Sequence, residues 1–228
     1  MSIRFNCKKF IISCLIASFI SLFFASFAFA HEIYYSGSSP NWVAIPLMWD
    51  ERSSGKAYLK MNGDLLNSDY LSNYITVSNV WSNASSKVTV SRTTFSNSNV
   101  DLATATETYW DNRFGSFWGI YVGGVCDITS TDGIQITSAS TAKNSSGRIR
   151  YAGILLTPYI DDYYESDSNR TNHIRATMVH EIGHALGLGH PNDLYYPTSE
   201  ASIMRTGVGY EGYYTPRSHD VNDLSNKY

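Results

Sequence analysis

Three of the six histidines in this 228-residue chain fall in one short stretch, HEIGHALGLGH, from His180 to His190. On an α-helix, His180 and His184 stack on one face about 6 Å apart along the axis, so two imidazoles can reach one metal ion. Glu181 is rotated to the flank of that face, where its carboxylate could touch a metal-bound water without occupying the metal. Two ligands and a base is the division of labour of an HExxH helix. If the helix continued, His190 would lie about 15 Å from His180 and point elsewhere. Gly187 sits where the chain must leave the helix, because glycine enters the left-handed conformation without a Cβ penalty. Gly189 adds freedom and Pro191 prevents the helix from resuming. His190 thereby becomes available as a third ligand.

Three neutral histidines leave the fourth position of a zinc ion for water, the arrangement of a catalytic rather than a closed structural site. Such an ion acidifies the water and polarises a carbonyl oxygen. Glu181 can then take the water's proton and pass it to a leaving amine, so peptide-bond hydrolysis is the natural reaction class. A bare HExxH also arises by chance on a solvated helix; the added glycine and third histidine weigh against that reading. His173 is on the same face but about 10 Å from His180, too far for the same ion. His31, His173 and His219 are therefore read as surface or capping residues.

The elements that must position these groups are mixed. Asn172–Leu186 is the clearest helix. Asp69–Ser82 carries Leu71, Tyr74, Ile75, Ser78 and Trp81 at helical spacing, with Ser68 or Asp69 as caps. Strands are expected at Trp42–Trp49, Lys87–Arg92, Trp118–Val125, Gly133–Thr137 and, most convincingly, Arg148–Thr157. The Ser/Thr/Asn-rich stretches 93–106 and 138–147 read as surface loops, and a short helix is expected near His219–Leu224. Mixed strands with a few long helices imply an α/β or α+β domain.

At the N-terminus, Arg4, Lys8 and Lys9 precede a charge-free apolar run ending in Ala28-Phe29-Ala30. This pattern reads as a secretory signal peptide over residues 1–30, leaving 31–228 as an exported, single-domain chain with no membrane attachment after cleavage. A retained membrane anchor is the competing reading, because the run is about long enough to span a bilayer. Cys7 and Cys14 fall in the leader, so Cys126 is alone in the remainder and reads as a buried small hydrophobe. A net charge of −3 with no Lys/Arg clusters argues against nucleic acid as a partner.

His180, Glu181, His184, Gly187 and His190 match the signature of the metzincins, zinc endopeptidases whose HExxHxxGxxH is followed by a Met-turn. Ser202-Ile203-Met204-Arg205 supplies Met204 at that place. The resemblance implies that Met204 packs beneath the zinc without ligating it. Within the metzincins the chain is most similar to small secreted bacterial matrixins, through the helix ending at Trp81 and the stretch Gly147–Leu156. That likeness implies a zincin-type α+β fold: a twisted mixed sheet with two long helices in an upper subdomain (about 31–187), then a small loop-rich lower subdomain (about 188–228). It implies a monomer acting on peptides or proteins. Matrixins often bind structural calcium, for which Asp127 and Asp132-Gly133, and more weakly Asp161 and Asp162, are the oxygen donors to consider.

Departures also matter. Thr206 stands where astacins place a ligating tyrosine, and no cysteine-switch peptide precedes the domain. Tyr210, Tyr213 and Tyr214 are candidates for a substrate-pocket wall, against a core or surface placement. Two other functions compete with a secreted zinc endopeptidase: a catalytically weak zinc-binding protein, and a zinc amidase acting on cell-wall peptides.

Overall fold

The computed structural model describes residues 33–36, 43–53, 55–115, 123–160, 170–191, 201–206 and 213–228. The expected leader, His31, Trp118–Val122, Asp161, Asp162 and Tyr210 lie outside them. Among the described residues, no helix is long and apolar enough to cross a membrane.

The fold is α+β, built on a twisted, unclosed mixed sheet. Its longest strand, β5 (Lys56–Leu65), turns Ala57, Leu59 and Met61 into the core and Lys56, Tyr58 and Lys60 to the opposite face. This period-2 alternation is what a strand covered on one face requires. Parallel to β5 run β6 (Val88–Arg92) and β7 (Val100–Thr104). β10 (Arg148–Leu156) lies parallel to β7, and β8 (Gly124–Ser130) lies antiparallel to β10. The short strands β3 (Met48–Trp49), β4 (Arg52–Ser53) and β9 (Gln135–Ile136) extend this sheet beside β10, β5 and β8. A separate antiparallel pair is formed by β1 (Tyr34–Ser36) and β2 (Val43–Ile45).

Three helices bear on the site. α1 (Ser68–Val77) and α2 (Val80–Ala84) pack beside α5 (Arg170–Ala185), where the buried Trp81 indole donates to the Val179 carbonyl at 2.8 Å. α5 lies on the sheet face lined by Ala152, Ile154 and Leu156, all essentially inaccessible. Beyond the sheet are α3 (Glu107–Phe114), α4 (Ala139–Asn144) and α6 (Ser218–Lys227).

The expected helix at α5 and strands at β6 and β10 are present. Other expectations need correction. The Asp69–Ser82 helix is two helices, and its cap is Asn67, whose side chain accepts the Tyr70 N–H at 3.1 Å. Leu71 and Ile75 point outward, while Tyr70, Asn73, Tyr74 and Val77 form the buried face. The Trp42–Trp49 strand is broken after Ile45 at Pro46, which has no N–H for a ladder. The stretch 93–106 is a surface loop only in its first half: Thr94–Asn97 are exposed, whereas Val100–Thr104 is an interior strand between β5 and β10. There the buried Asp101 carboxylate accepts from Ser98 Oγ at 2.6 Å and Tyr151 OH at 2.9 Å. A buried carboxylate is tolerated only with such donors, and its presence masks the strand's apolar character. Within 138–147, Ser138 and Thr141 form a reciprocal capping box that starts α4. His173 is buried within α5 rather than exposed. His219 lies inside α6, 3.5 Å from Asp223 one turn on.

Candidate metal centre

The end of α5 is set by Gly187, whose φ is +79°. Leu188 N–H reaches back to Gly183 C=O at 3.0 Å, and Gly187 N–H to His184 C=O at 2.8 Å. These two bonds define a Schellman motif, which satisfies helix-end carbonyls and reverses the chain. Space imposes a second requirement here, since a Cβ on Gly187 would collide with the Leu47 carbonyl oxygen.

The reversal brings His190 Nε2 to 3.1 Å from both His180 Nε2 and His184 Nε2. Three nitrogens on one tetrahedral zinc stand roughly 3.3 Å apart, so the triangle is already close to that size. Protonation sharpens the argument. His180 Nδ1 lies 2.8 Å from the Ile203 carbonyl and His184 Nδ1 lies 2.7 Å from the Leu188 carbonyl. A carbonyl only accepts, so both Nδ1 atoms carry the proton and both Nε2 atoms present lone pairs. Burial, and then the neighbouring histidine, depresses His180 to about 4; burial and the other two rings put His184 well below its usual value. Both rings are therefore neutral at pH 7. His190 can donate to one of them at most, which leaves lone pairs facing each other. A cation among the three nitrogens removes that repulsion, so the donor set fits a metal ion.

Glu181, on the flank of the same helix, is 5% exposed, and its Oε2 is buried without a hydrogen-bond partner. Burial, and secondarily the Asp127 charge, pushes its pKa up to about 8. On the other side of the helix, Gly183 leaves room for Met204 and Trp81: a Cβ there would strike Met204 Sδ and come within 2.9 Å of the indole. Met204 is 2% exposed and thus forms packed floor under α5.

A scan of protein-family models matches residues 64–191, more than half of the chain, to the description "Metallo-peptidase family M12B Reprolysin-like". The chain belongs to the M12B reprolysin-like metallopeptidases. Zinc-dependent peptide hydrolysis is the activity of such a domain. Among solved structures, myroilysin is similar at 12% identity over 90% of this chain and 93% of that one, with a TM-score of 0.43. Archaemetzincin from Archaeoglobus fulgidus, complexed with malonate, is similar at 15% identity over 73% of this chain and 99% of that one, with a TM-score of 0.37. No curated protein matches the chain. The family match is to reprolysins, and it does not bear out the expected matrixin subtype.

Around the histidine triad, sequence reasoning missed several supports. The Ile203 carbonyl orients His180, and the Ile203 N–H is held by Asp220 Oδ2 at 3.0 Å. Asp220 also accepts from Ser202 Oγ at 2.5 Å and Arg217 N–H at 2.6 Å, while Ser202 Oγ accepts from Met204 N–H at 2.9 Å. Burial raises the Asp220 pKa, opposed by these donors. The outcome is that α6 clamps the Met-turn. The Tyr228 hydroxyl, at the end of α6, donates to the Leu186 carbonyl at 3.0 Å and accepts from Trp49 N–H at 3.1 Å, tying the end of α5 to β3.

Other expected residues have different duties. The calcium expectation gains no support: Asp127 takes two bonds from Arg113, at 2.8 and 2.7 Å, and Asp132 accepts from Ser130 and Ser146. Tyr213 donates to the Ser202 carbonyl at 3.2 Å and lies under Arg217, and Tyr214 stacks with Arg175. Tyr213 thus braces the Met-turn, and Tyr214 lies against α5. Cys126 is partly buried on β8, and desolvation raises its thiol pKa, in keeping with a packing role.

Proposed function

We propose that the chain is a secreted zinc endopeptidase in which His180, His184 and His190 hold the metal and Glu181 is the general base. The observation that carries this reading is the buried, partnerless Glu181 Oε2 beside a triad whose lone pairs converge. Zinc, when bound, supplies Lewis-acid polarisation of a peptide carbonyl and acidifies water. The chain's own residues do the rest. His180 and His184 are locked in one tautomer by Ile203 and Leu188, so Nε2 faces inward without reorganisation. Glu181 takes the proton of the attacking water and returns it to the departing amine. In the metal-free chain burial raises its pKa, so this carboxylate is a stronger base than an exposed one. A protein that only binds zinc has no use for a buried carboxylate at this position, which favours catalysis over the binding reading.

The basic segment, apolar run and Ala28-Phe29-Ala30 support export with the mature chain starting at His31; we take that chain as one domain and a monomer. The helical segment ending at Trp81 and the Gly147–Leu156 stretch support a matrixin-like flavour within the metzincins.

The test is turnover of casein or gelatin by residues 31–228. Chelation should abolish it and added zinc restore it. Glu181→Gln should keep its zinc while losing about 10³-fold in turnover. Full activity in Glu181→Gln overturns the mechanism, and cleavage confined to cell-wall fragments would favour the amidase.

A further inference from the structure

Two of the glycines beside the site differ in what they require. Gly187 has a positive φ, whereas Gly124, the first residue of β8, is not among the positive-φ glycines. Backbone conformation therefore does not demand glycine at 124. Space does. A Cβ built on Gly124 would stand 2.8 Å from Glu181 Cγ, 3.0 Å from Oε1 and 3.2 Å from Cδ. Neither wall has an easy retreat. β8 is registered against β10 from Gly124↔Leu156 to Ser130↔Ile149, and Thr157 N–H donates to Gly123 C=O at 3.0 Å. Glu181 is fixed in α5 between the fully buried neighbours Val179 and Ile182. Only the carboxylate arm can give way.

We propose that Gly124 is a positioning residue for Glu181: the bare backbone of β8 is the seat against which the carboxylate rests. This inference rests on reading Glu181 as the base. The Cβ direction of Gly124 faces the Cγ and Oε1 side of the arm, while Oε2 is the buried oxygen without a hydrogen-bond partner. A single methyl group at 124 displaces the arm by a few tenths of an ångström or forces another rotamer, and proton transfer is sensitive to displacements of that order. Gly123 supplies the control. A Cβ there would meet Thr177, at 3.1 Å from Oγ1 and 3.2 Å from Cγ2, and not the base.

The experiment uses zinc-loaded protein carrying Gly124→Ala, Gly123→Ala or Glu181→Ala. In Gly124→Ala, kcat on a peptide substrate should fall about tenfold to a hundredfold, with KM and zinc content at wild-type values. Gly123→Ala should stay within about twofold. Any drop in Tm caused by Gly124→Ala should vanish in a Glu181→Ala background, because the colliding side chain is gone. Wild-type kcat in Gly124→Ala overturns the proposal. So does an equal kcat loss in Gly123→Ala, or a Tm penalty that persists without the Glu181 side chain. The two possible failures separate cleanly: an active Glu181→Gln removes the base, while an active Gly124→Ala beside an inactive Glu181→Gln removes only the seat.

Discussion

His184 and His180 are one turn apart on the same helix, yet the carbonyls that orient them come from very different places. His184 is held by Leu188, four residues downstream, on the turn that Gly187 creates. His180 is held by Ile203, 23 residues downstream, in the Met-turn. The first anchor is self-contained: the Schellman motif that ends the helix also supplies the acceptor. The second is borrowed, because Ile203 is itself pinned by Asp220 from the C-terminal helix. A local anchor can be written as a motif, while a borrowed one needs two distant segments to dock first.

That contrast can be broken at either end. The largest effect should come from Gly187→Val. A β-branched residue at φ +79° costs about 1–2 kcal/mol in backbone strain alone and would also meet the Leu47 carbonyl. Both the Leu188 acceptor and the return of His190 depend on this turn, so zinc affinity should fall at least about a hundredfold. Unchanged affinity by metal-competition titration would mean that the local anchor is not what holds the site. Asp220→Asn should have a smaller effect. It replaces one oxygen of a carboxylate whose Oδ1 accepts from Ser202 and whose Oδ2 accepts from Ile203 and Arg217 with an amide nitrogen that must donate, costing about 2 kcal/mol of stability. Zinc affinity should drop about tenfold through Ile203 and His180, with His184 untouched. If Asp220→Asn matched Gly187→Val in zinc loss, the two anchors would be equivalent.

The smallest effect concerns pH. Burial holds His180 near 4 and His184 well below 6.5 in the folded chain. The unfolded chain therefore binds more protons below the ordinary histidine value, so stability falls as pH drops from about 6.5 toward 4. Melts of the metal-free protein should show Tm declining across that window, with a shallower decline in His180→Gln and in His184→Gln. A flat Tm profile would count against the buried, neutral triad.

Much of the site was legible because it is local. HEIGH obeys a helical period, and Gly187 and Pro191 mark where that period must stop. β10 was legible for a similar reason: Tyr151 to Leu156 is a continuous apolar run with no competing pattern. β7 was not, because its two large apolar residues, Val100 and Leu102, flank Asp101 and follow a Ser/Asn tract. Only the donors Ser98 and Tyr151, the latter on the neighbouring strand, make that carboxylate acceptable inside a sheet. On α1, Leu71 and Ile75 look as suitable for the core as Tyr74 does. Where α5 and the sheet lie decides which of them is covered.

By itself, then, the sequence determined the three converging histidines, the carboxylate between the first two, and the glycine that ends the helix. All of these follow from the dihedral freedom and rise of a single chain segment. The tertiary structure alone decided which carbonyls lock the imidazoles, that Asp220 clamps the Met-turn, and that β8 presses a bare glycine against Glu181. Each of those depends on two segments far apart in sequence approaching to within hydrogen-bond or van der Waals distance, and no spacing along the chain encodes that approach.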